Sequence, residues 1–199
     1  MIGVFRGNPL KTSKFNILVL FLFVMALIAS PSFAHAKMKA DKLDADNVKE
    51  FIEKTTAISN GEYGDLDTRQ VEKYLQNHLH DQARFISEMT YVIPGFPPQQ
   101  SVLSLKKEEF MSHVEQSATS VEDYKNEIEI IDIALSKDKR TATVRTRGTE
   151  RGAMQVQEGA LPVSIEGTSK CTQILLLSED DVIQMFNARC KTRINFTEF

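Results

Sequence analysis

The C-terminal part of the chain reads TSKCTQILLLSEDDVIQMFNARCKTRI, from Thr168 to Ile194. Two mainly apolar runs in it are separated by the polar segment SEDD, a pattern typical of two strands joined by a turn. The stretch also contains both cysteines of the chain, Cys171 and Cys190. It therefore predicts a long antiparallel hairpin, and the other predicted elements are arranged around that hairpin.

The register of this hairpin is predicted by counting outward from its turn. If the loop consists of the two residues 180–181, Cys171 lies opposite Cys190. Opposed residues of an antiparallel pair have Cβ atoms about 5 Å apart, close to the separation that a disulfide requires. We therefore predict a disulfide between Cys171 and Cys190. The alternative, a redox or metal-binding pair, lacks a CxxC motif and a nearby histidine.

The sequence upstream of the hairpin predicts further strands. Ile128 and Ile130 alternate with glutamates, but Ile131 and Ile133 then occupy the other parity. A slip of one residue within a strand indicates a β-bulge. Residues 140–151 alternate again, with small apolar side chains on one side and threonine or arginine on the other. Together with the hairpin, these segments predict four antiparallel strands.

The first half of the chain predicts helices instead. Asn47 with Glu50, and Asp67 with Gln70, have the spacing of capping boxes, in which two side chains satisfy each other's free backbone N–H groups. Apolar residues follow each pair at helical spacing. The dipeptide Asn60-Gly61 is typical of a helix end. Two helices are therefore expected, separated by a short loop.

A strand and a third helix are predicted next. Residues 82–93 are compatible with a strand, and the segment PGFPP (94–98) predicts a firm turn after it. Ser104 has the position of an N-cap for the third helix. The resulting order is helix, helix, strand, helix and four strands, which is typical of the α+β class. We expect three N-terminal helices packed on a curved, mainly antiparallel sheet, with an apolar pocket on its concave side.

This order resembles the nuclear transport factor 2-like superfamily, also called SnoaL-like or ketosteroid-isomerase-like. The similarity covers about Asp46 to Phe196. It is carried by the helix pair, by HDQARF (80–85), by the helix LKKEEF (105–110) and by the long closing strands. The resemblance implies a cone-shaped, cystatin-like fold with a pocket open at one end, and frequent dimers through the sheet. The superfamily includes isomerases, cyclases, dehydratases, secretion-machine subunits and members without chemistry, so it fixes no single function.

The first 36 residues predict export. Residues 1–16 carry three basic residues and no acid, residues 17–29 are an unbroken apolar run, and the segment ends in Ala34-His35-Ala36. These are the three parts of a secretory signal peptide. The apolar run is shorter than the roughly 20 residues that span a bilayer, although an uncleaved membrane anchor is the alternative. The expected division is a cleavable signal peptide (1–36), a flexible N-terminus (37–45) and one folded domain (46–199).

Cleavage near Ala36 would leave the protein in the periplasm or outside the cell, where disulfides persist. The net charge of the chain is −3, and it becomes −6 without the three basic residues of the signal. This balance argues against a nucleic acid or an anionic membrane as the main partner. The chain has no tryptophan, and it lacks phosphate-loop, G-x-S-x-G and H-E-x-x-H motifs. We expect no cofactor and no metal site.

Three residues are candidates for a catalytic or ligand-binding role. Asp81 lies where the resemblance places an acid at the pocket edge; it would be a general base or a hydrogen-bond acceptor, or else a turn residue. Tyr91 would direct its hydroxyl into the cone, as in the isomerases, or simply pack in a strand. His113 is a candidate proton donor or an ordinary helix residue. Asp132 and Glu150 are not assigned to the buried acids with which the isomerases pair their tyrosine.

One further pattern concerns the outside of the predicted sheet. Arg145, Arg147 and Arg151 share one side of a strand and would form a basic stripe for an anionic ligand or partner. We favour the alternative, a solvated face paired with Glu127 and Glu129 on the preceding strand.

The sequence thus favours a non-catalytic periplasmic protein that binds a small apolar ligand or docks on an envelope partner protein. The reason is that no set of polar residues converges on a recognisable reaction centre. Two alternatives stay open. One is an enzyme of the isomerase or dehydratase type, with Asp81 as base and Tyr91 or His113 as proton donor. The other is an assembly subunit of a secretion system. A homodimer is a further expectation from the resemblance.

Overall fold

The computed structural model of the protein describes residues 38–60, 62, 66–117, 121–154 and 163–197. The predicted signal peptide and Gly61 lie outside the described residues. This part of the chain contains three helices and six strands, so the predicted α+β class is confirmed. In chain order the elements are α1 (Ala45–Ser59), α2 (Thr68–His78), β1 (Leu79–Val92), β2 (Gln99–Lys106), α3 (Lys107–Ser117), β3 (Val121–Leu135), β4 (Thr141–Met154), β5 (Val163–Leu177) and β6 (Ile183–Phe196).

The six strands form one curved, open sheet in the order β2-β1-β6-β5-β4-β3. Four of its five neighbouring pairs are antiparallel, whereas β1 and β6 are parallel. The sheet is therefore mixed, because the last strand returns beside the first one. None of the helices in the described ranges is long and apolar enough to cross a membrane.

The third helix does not begin where the sequence predicts. The PGFPP turn is present, with Gly95 at a φ of 79°, but it leads into the extra strand β2 rather than into a helix. Ser104 pairs with Ile86 in that strand, so its assignment as an N-cap is wrong. The helix starts at Lys107, where the Glu109 carboxylate accepts a hydrogen bond from the Lys106 N–H at 2.8 Å. Only two of the three helices thus precede the sheet.

The first helix also begins earlier than predicted. Its N-cap is Asp44, and Asn47 is the partner residue of the capping box rather than the cap itself. The two side chains accept from each other's backbone N–H groups at 2.9 and 3.0 Å. The second predicted capping box, Asp67 with Gln70, is confirmed at 2.9 and 2.8 Å.

The segment before α1 differs from the flexible lead expected there. The Met38 carbonyl accepts from the Ile183 N–H at 3.0 Å, and the Leu43 N–H donates to the Lys139 carbonyl at 2.7 Å. Leu43 is completely buried. The segment therefore connects the β3–β4 turn to the start of β6 through these two hydrogen bonds, and the buried Leu43 side chain holds it in place.

The β5–β6 hairpin contains the predicted disulfide. Cys171 pairs with Cys190 across the two strands, their Cα atoms are 4.1 Å apart, and the disulfide is formed. The turn, however, has three loop residues, since the Ser178 N–H donates to the Val182 carbonyl. A one-residue register shift beside Phe186 compensates for the longer loop. Two departures from the predicted hairpin therefore cancel, and the cysteines still meet.

The predicted bulge in the first long strand is also confirmed. The β3–β4 register shifts between Ile130 and Asp132, so Ile131 is the extra residue. Ile131 is 50% exposed, because the slip leaves its side chain without a place in the core.

The core lies between the helices and one side of the sheet, which we call the inner face. One cluster joins Phe51 of α1, Leu75 of α2 and Phe110 of α3 to buried residues of the strands. The rings of Phe85 and Phe110 stack with centroids 4.0 Å apart. We call the opposite side of the sheet the outer face.

Candidate functional site

Glu150 is a carboxylic acid on the inner face of β4. The buried residues of this strand are Ala142, Val144, Thr146, Gly148 and Glu150, which alternate with more exposed neighbours. Side chains two apart in a strand point to the same face, so Glu150 shares the side that packs against the core. Only 6% of its surface is exposed.

The carboxyl of Glu150 has no hydrogen bond or ion pair with any residue that the structure describes. Burial alone raises its pKa from 4.5 to about 8, because desolvation penalises the charged form. At neutral pH the group is therefore mainly protonated, and it can donate one hydrogen bond and accept others. Its oxygens are nevertheless not among the fully buried atoms without a partner in the described residues, which belong to Asn60 and Gln173.

Gly167 provides the space that Glu150 occupies. The two residues are opposite each other in the β4–β5 pair. A Cβ on residue 167 would lie 3.1 Å from the Glu150 Cβ and 3.2 Å from its Oε2. The carboxyl therefore lies over the backbone of β5, toward the middle of the inner face, where a larger residue than glycine would displace it.

Tyr91 lies on the same register row of the sheet as Glu150. The row runs from Glu150 through Gly167 and Ile194 to Tyr91. Adjacent strands are about 4.8 Å apart, which places the Cα atoms of Glu150 and Tyr91 roughly 14 Å apart across three strand spacings. Both side chains point to the inner face. The buried side chain of Ile194 lies between them on the same face.

The hydroxyl of Tyr91 is held in an apolar setting. Ser101 Oγ lies 3.4 Å from it and donates to it, and the hydroxyl itself donates to the Met89 sulfur at 3.3 Å. Burial raises the pKa of Tyr91, so the phenol stays protonated at neutral pH. Met89, Ile165 and Ile194 form a small apolar cluster with the ring. The tyrosine therefore packs in its strand, and its predicted ligand-binding role stays a prediction.

Three buried hydroxyls lie between Glu150 and the apolar core. Ser87 and Thr146 are on one register row with the disulfide between them, and Ser169 is on the row nearer to Glu150. Each is less than 9% exposed. None of the three hydrogen-bonds another side chain in the described part of the chain. The inner-face cluster, as we call it, has five members: Ser87, Tyr91, Thr146, Glu150 and Ser169.

The inner-face cluster has the chemistry of a ligand site. It combines a few polar groups with an apolar surround, as small-molecule sites usually do. The carboxyl of Glu150 and the hydroxyls of Ser87, Thr146 and Ser169 have no side-chain partner among the described residues, so a bound ligand or ordered water would supply further hydrogen bonds. The cluster contains one ionisable acid, a phenol and no cation.

Asp81 lies elsewhere, at an irregular stretch of β1. Between Leu79 and Arg84 the strand advances five residues while β6 advances two, and the loosened segment is exposed. Asp81 has a side chain that is 90% exposed, and its carboxylate is 2.8 Å from the buried ammonium of Lys107. That ammonium also donates to the Gln76 carbonyl at 2.9 Å. The structure therefore places Asp81 as the counter-ion of a buried lysine.

The surroundings of Asp81 do not favour a role as general base. The hydrogen bond from Lys107 and the charge of its ammonium lower the pKa of Asp81, whereas a base working near neutral pH needs a raised value. Asp81 borders an open surface groove with Arg84, Lys106 and Phe186, away from the inner-face cluster. Its predicted ligand-binding role stays a prediction.

His113 is half-buried on α3, and it makes no hydrogen bond with another described residue. It is therefore not brought together with Asp81 or Tyr91 by any contact. No group of three or more His, Cys, Asp or Glu among the residues that the structure describes is placed to hold a metal ion. The expected lack of a metal site stays a prediction.

Glu150 and the three hydroxyls were not among the candidates chosen from sequence. The signal for Glu150 was available, because it shares parity with Ala142 and Val144 in the alternation of residues 140–151. An acid on the apolar side of an alternating strand is unusual, since charged residues are rarely buried without a partner. The hydroxyls carry no such signal, because serine and threonine are common on either face of a strand.

Comparison with known proteins concerns the fold. No protein-family model matches the chain, and no curated protein matches it either. Similar solved structures include a conserved protein from Planctomyces limnophilus, 16% identical over 75% of this chain and 98% of that one, with a TM-score of 0.44. A nuclear transport factor 2-like protein from Cytophaga hutchinsonii is 16% identical over the same shares, with a TM-score of 0.41.

A ketosteroid isomerase-like protein from Erwinia carotovora is 13% identical over 70% of this chain and 91% of that one, with a TM-score of 0.38. Each of these structures is at most 16% identical to the chain and has a TM-score under 0.5, so the resemblance to the nuclear transport factor 2-like superfamily is a similarity and not an assignment. At these identities the similarity describes the fold alone, and the function of the chain has to be argued from its own residues.

Proposed function

We propose that this chain is an exported, non-catalytic protein that binds a small ligand at the inner-face cluster. The ligand has an apolar body and at least one hydrogen-bonding group. Glu150 anchors that group, and the apolar surround of Tyr91 receives the rest.

The observation that carries the proposal is the carboxyl of Glu150, which belongs to a buried side chain and has no hydrogen bond or ion pair with any side chain that the structure describes. A buried polar group without a hydrogen bond costs on the order of 1–3 kcal/mol. A leucine or threonine at position 150 would avoid that cost, so the folding of the sheet does not require the acid. A ligand that hydrogen-bonds Glu150 would supply the missing partner, and its binding would then offset the cost.

The geometry supports a ligand rather than a second protein at this place. Glu150 and Tyr91 are buried, so a small molecule would reach them more readily than the surface of a folded protein would. The roughly 14 Å between their Cα atoms suits a molecule of one or two rings, which would also pass the hydroxyls of Thr146 and Ser169. Because the carboxyl is mainly protonated at neutral pH, a neutral acceptor group on the ligand is the favoured partner.

Export is part of the proposal and rests on the sequence of residues 1–36. The disulfide supports it, because disulfides persist mainly in oxidising compartments. Docking on an envelope partner remains compatible with ligand binding, since the two would use different faces of the sheet.

The proposal is tested by identifying what the protein retains. Protein purified from the periplasmic fraction is denatured, and the released small molecules are measured by mass spectrometry. The Glu150→Gln variant keeps the shape of the side chain but lacks the acid, and it should retain at least tenfold less of the molecule. Glu166→Gln is the matched control, because Glu166 is exposed on the outer face one residue from Gly167.

Equal amounts of the same molecule in wild type and both variants would contradict a role for Glu150. Finding no molecule in wild type under native purification, together with no change in stability on adding periplasmic extract, would contradict ligand binding at the inner-face cluster altogether.

A second candidate function is an enzyme that uses Glu150, rather than Asp81, as a general acid or base. A specific observation favours it: the pKa of Glu150 is raised to about 8, within the range in which a carboxyl exchanges protons efficiently near neutral pH. The extraction experiment separates the two functions. An enzyme would release product from wild type and unreacted substrate from Glu150→Gln, whereas a binding protein would yield the same molecule from both, with at least tenfold less from the variant.

A further inference from the structure

The outer face of the three strands β4, β5 and β6 carries a concentrated positive charge. Nine outward positions of these strands form a block, with three alternate residues on each strand. All nine are exposed. We call them the basic block: Arg145, Arg147, Thr149, Thr168, Lys170, Thr172, Arg189, Lys191 and Arg193. Six are cations, three are threonines and none is an acid, although the whole chain has a net charge of −3.

Lys170 stands at the centre of the basic block. It pairs with Arg147 on one side and with Lys191 on the other, so three cations are directly opposite each other on adjacent strands. Like charges at opposed positions destabilise a sheet. Lys170 forms no ion pair with any described residue, and threonine would suit the strand better. Folding therefore gives no reason for this central cation.

Acids border the basic block instead of lying within it. Arg145 pairs with Asp132 at 2.9 Å and Arg147 with Glu129 at 3.9 Å, both on β3. On the other side, Glu88 of β1 is 3.3 Å from Lys191. The predicted pairing of this face with glutamates is thus present, but only at its margins. The centre remains positive because these acids lie outside the block and pair with cations on its two outer strands.

We propose that the basic block is the docking surface for an extended acidic segment of a partner protein, lying along β5. The surface measures roughly 10 Å across the strands and 14 Å along them, from the usual spacings of a sheet. An extended peptide repeats its side chains every second residue, about 7 Å apart, which matches the spacing of the three rows. Three alternate carboxylates of the partner would each meet two cations or a threonine hydroxyl.

The borders of the basic block argue for a narrow partner. A bilayer or a nucleic-acid duplex is much wider than the block, so it would also meet the acids of β3 and Glu88, which repel it. The block contains no aromatic or large apolar side chain, whereas single-stranded nucleic acid binds mainly by stacking on aromatic rings. Charge complementarity therefore favours a single acidic chain. The docking surface is separate from the inner-face cluster, so it stands whether or not a ligand binds there.

The proposal is tested by fluorescence anisotropy with a labelled peptide of alternating glutamate and threonine at low ionic strength. The protein should bind it, and added salt should weaken binding because the contacts are exposed. Lys170→Glu should weaken binding by about tenfold or more, and Lys170→Thr by a smaller factor. Lys137→Glu is the matched control: it makes the same charge change at an exposed position in the β3–β4 turn and should leave affinity within about twofold.

Several results would overturn the proposal. If Lys137→Glu weakens binding as much as Lys170→Glu, the peptide responds only to overall charge. If the wild type fails to bind the peptide but binds heparin or vesicles of anionic lipid through Lys170, the partner belongs to another class. If the wild type is a dimer that Lys170→Glu dissociates, a second copy of the chain covers this face. Melting temperatures of all variants must match to within a few degrees, and Lys170→Thr serves if Lys170→Glu fails to fold.

Discussion

The two faces of strands β4 to β6 differ in the exposure and the pairing of their charged side chains. On the outer face, cations stand side by side in water, and their acids lie at the margins. On the inner face, the single acid Glu150 is buried and has no partner among the described residues. The same alternation of residues produces both faces, since neighbours along a strand point to opposite sides. Burial, and not the number of charges, therefore decides where a missing partner is costly.

This difference gives an order of expected effects. Substitutions on the inner face should change stability strongly and with pH, because a buried ionisable group binds protons differently in the folded and unfolded states. Substitutions on the outer face should change stability little, because exposed charges are screened by water and salt.

The largest effect is expected for Glu150→Gln. The folded protein holds the Glu150 proton up to a pKa of about 8, whereas the unfolded chain loses it near 4.5. Folding therefore takes up a proton between these values, and the stability of the wild type falls as pH rises through that window. Glutamine has no proton to lose, so the free energy of unfolding of the variant does not fall in this way. The difference between variant and wild type should therefore shift in favour of the variant by up to about 4 kcal/mol as the pH is raised from 5 to 8.

Urea unfolding at several pH values measures this gain. The matched outer-face variant Glu166→Gln should stay within about 0.5 kcal/mol of wild type throughout. A parallel pH dependence of wild type and Glu150→Gln would show that the carboxyl is solvated, and would remove the contrast between the faces.

The next effect concerns the inner-face disulfide. Replacing both cysteines by alanine should lower the free energy of unfolding by about 3 kcal/mol, because the bond closes a loop of about 20 residues in the unfolded chain. Denaturation of the double variant and of wild type under reducing and oxidising conditions measures it. Reductant should affect only the wild type; a wild type insensitive to reductant after full unfolding would show that the bond is not formed.

A smaller effect is expected for Asp81→Asn, which belongs to neither face. It removes the negative charge beside the buried ammonium of Lys107, but the amide oxygen can still accept a hydrogen bond from that ammonium, as the Gln76 carbonyl does. Stability should therefore fall by at most about 1 kcal/mol. Since the pKa of Asp81 is lowered in the folded state, its contribution is present above the ordinary carboxyl range and lost as pH falls below about 4. Retained ligand should be unchanged, and loss of the ligand in this variant would restore Asp81 as a site residue.

The smallest effect is expected for Lys170→Thr on the outer face. Removing one of three opposed cations should raise the free energy of unfolding by a few tenths of a kcal/mol. The gain should disappear in high salt, which screens exposed charges. A loss of stability of more than about 1 kcal/mol would mean that the Lys170 side chain supports the fold, and the basic block would then need no partner.

The sequence predicted the fold class and the hairpin better than the elements between them. Cys171 and Cys190 were paired correctly because the extra residue in the turn is compensated by the register shift beside Phe186, so both cysteines stay opposite each other. The three-residue loop could not be foreseen, since it depends on Asp181 adopting a φ of 59°. The strand β2 was missed because it is an edge strand whose residues are mostly exposed, and polar edge strands resemble linkers in sequence.

The candidate site was predicted only in part. Tyr91 was chosen and lies on the inner face, whereas Asp81 was chosen from its place in the resemblance and is exposed. Glu150 shares the alternation of the apolar residues in its strand, but its importance depends on which face is buried and on the glycine opposite it in β5. Both facts follow from the register of neighbouring strands, which no local pattern contains.

The proposed ligand site depends on one claim, namely that the Glu150 carboxyl is held in a buried side chain with no partner among the described residues. The most direct test is a pH titration of the Glu150 side-chain carboxyl by carbon-detected NMR, assigned by comparison with Glu150→Gln. The account predicts a midpoint near 8, far above that of Glu166, which is exposed. A midpoint near the 4.5 of an ordinary glutamate would show that water or a cation already satisfies the group, and would contradict the claim.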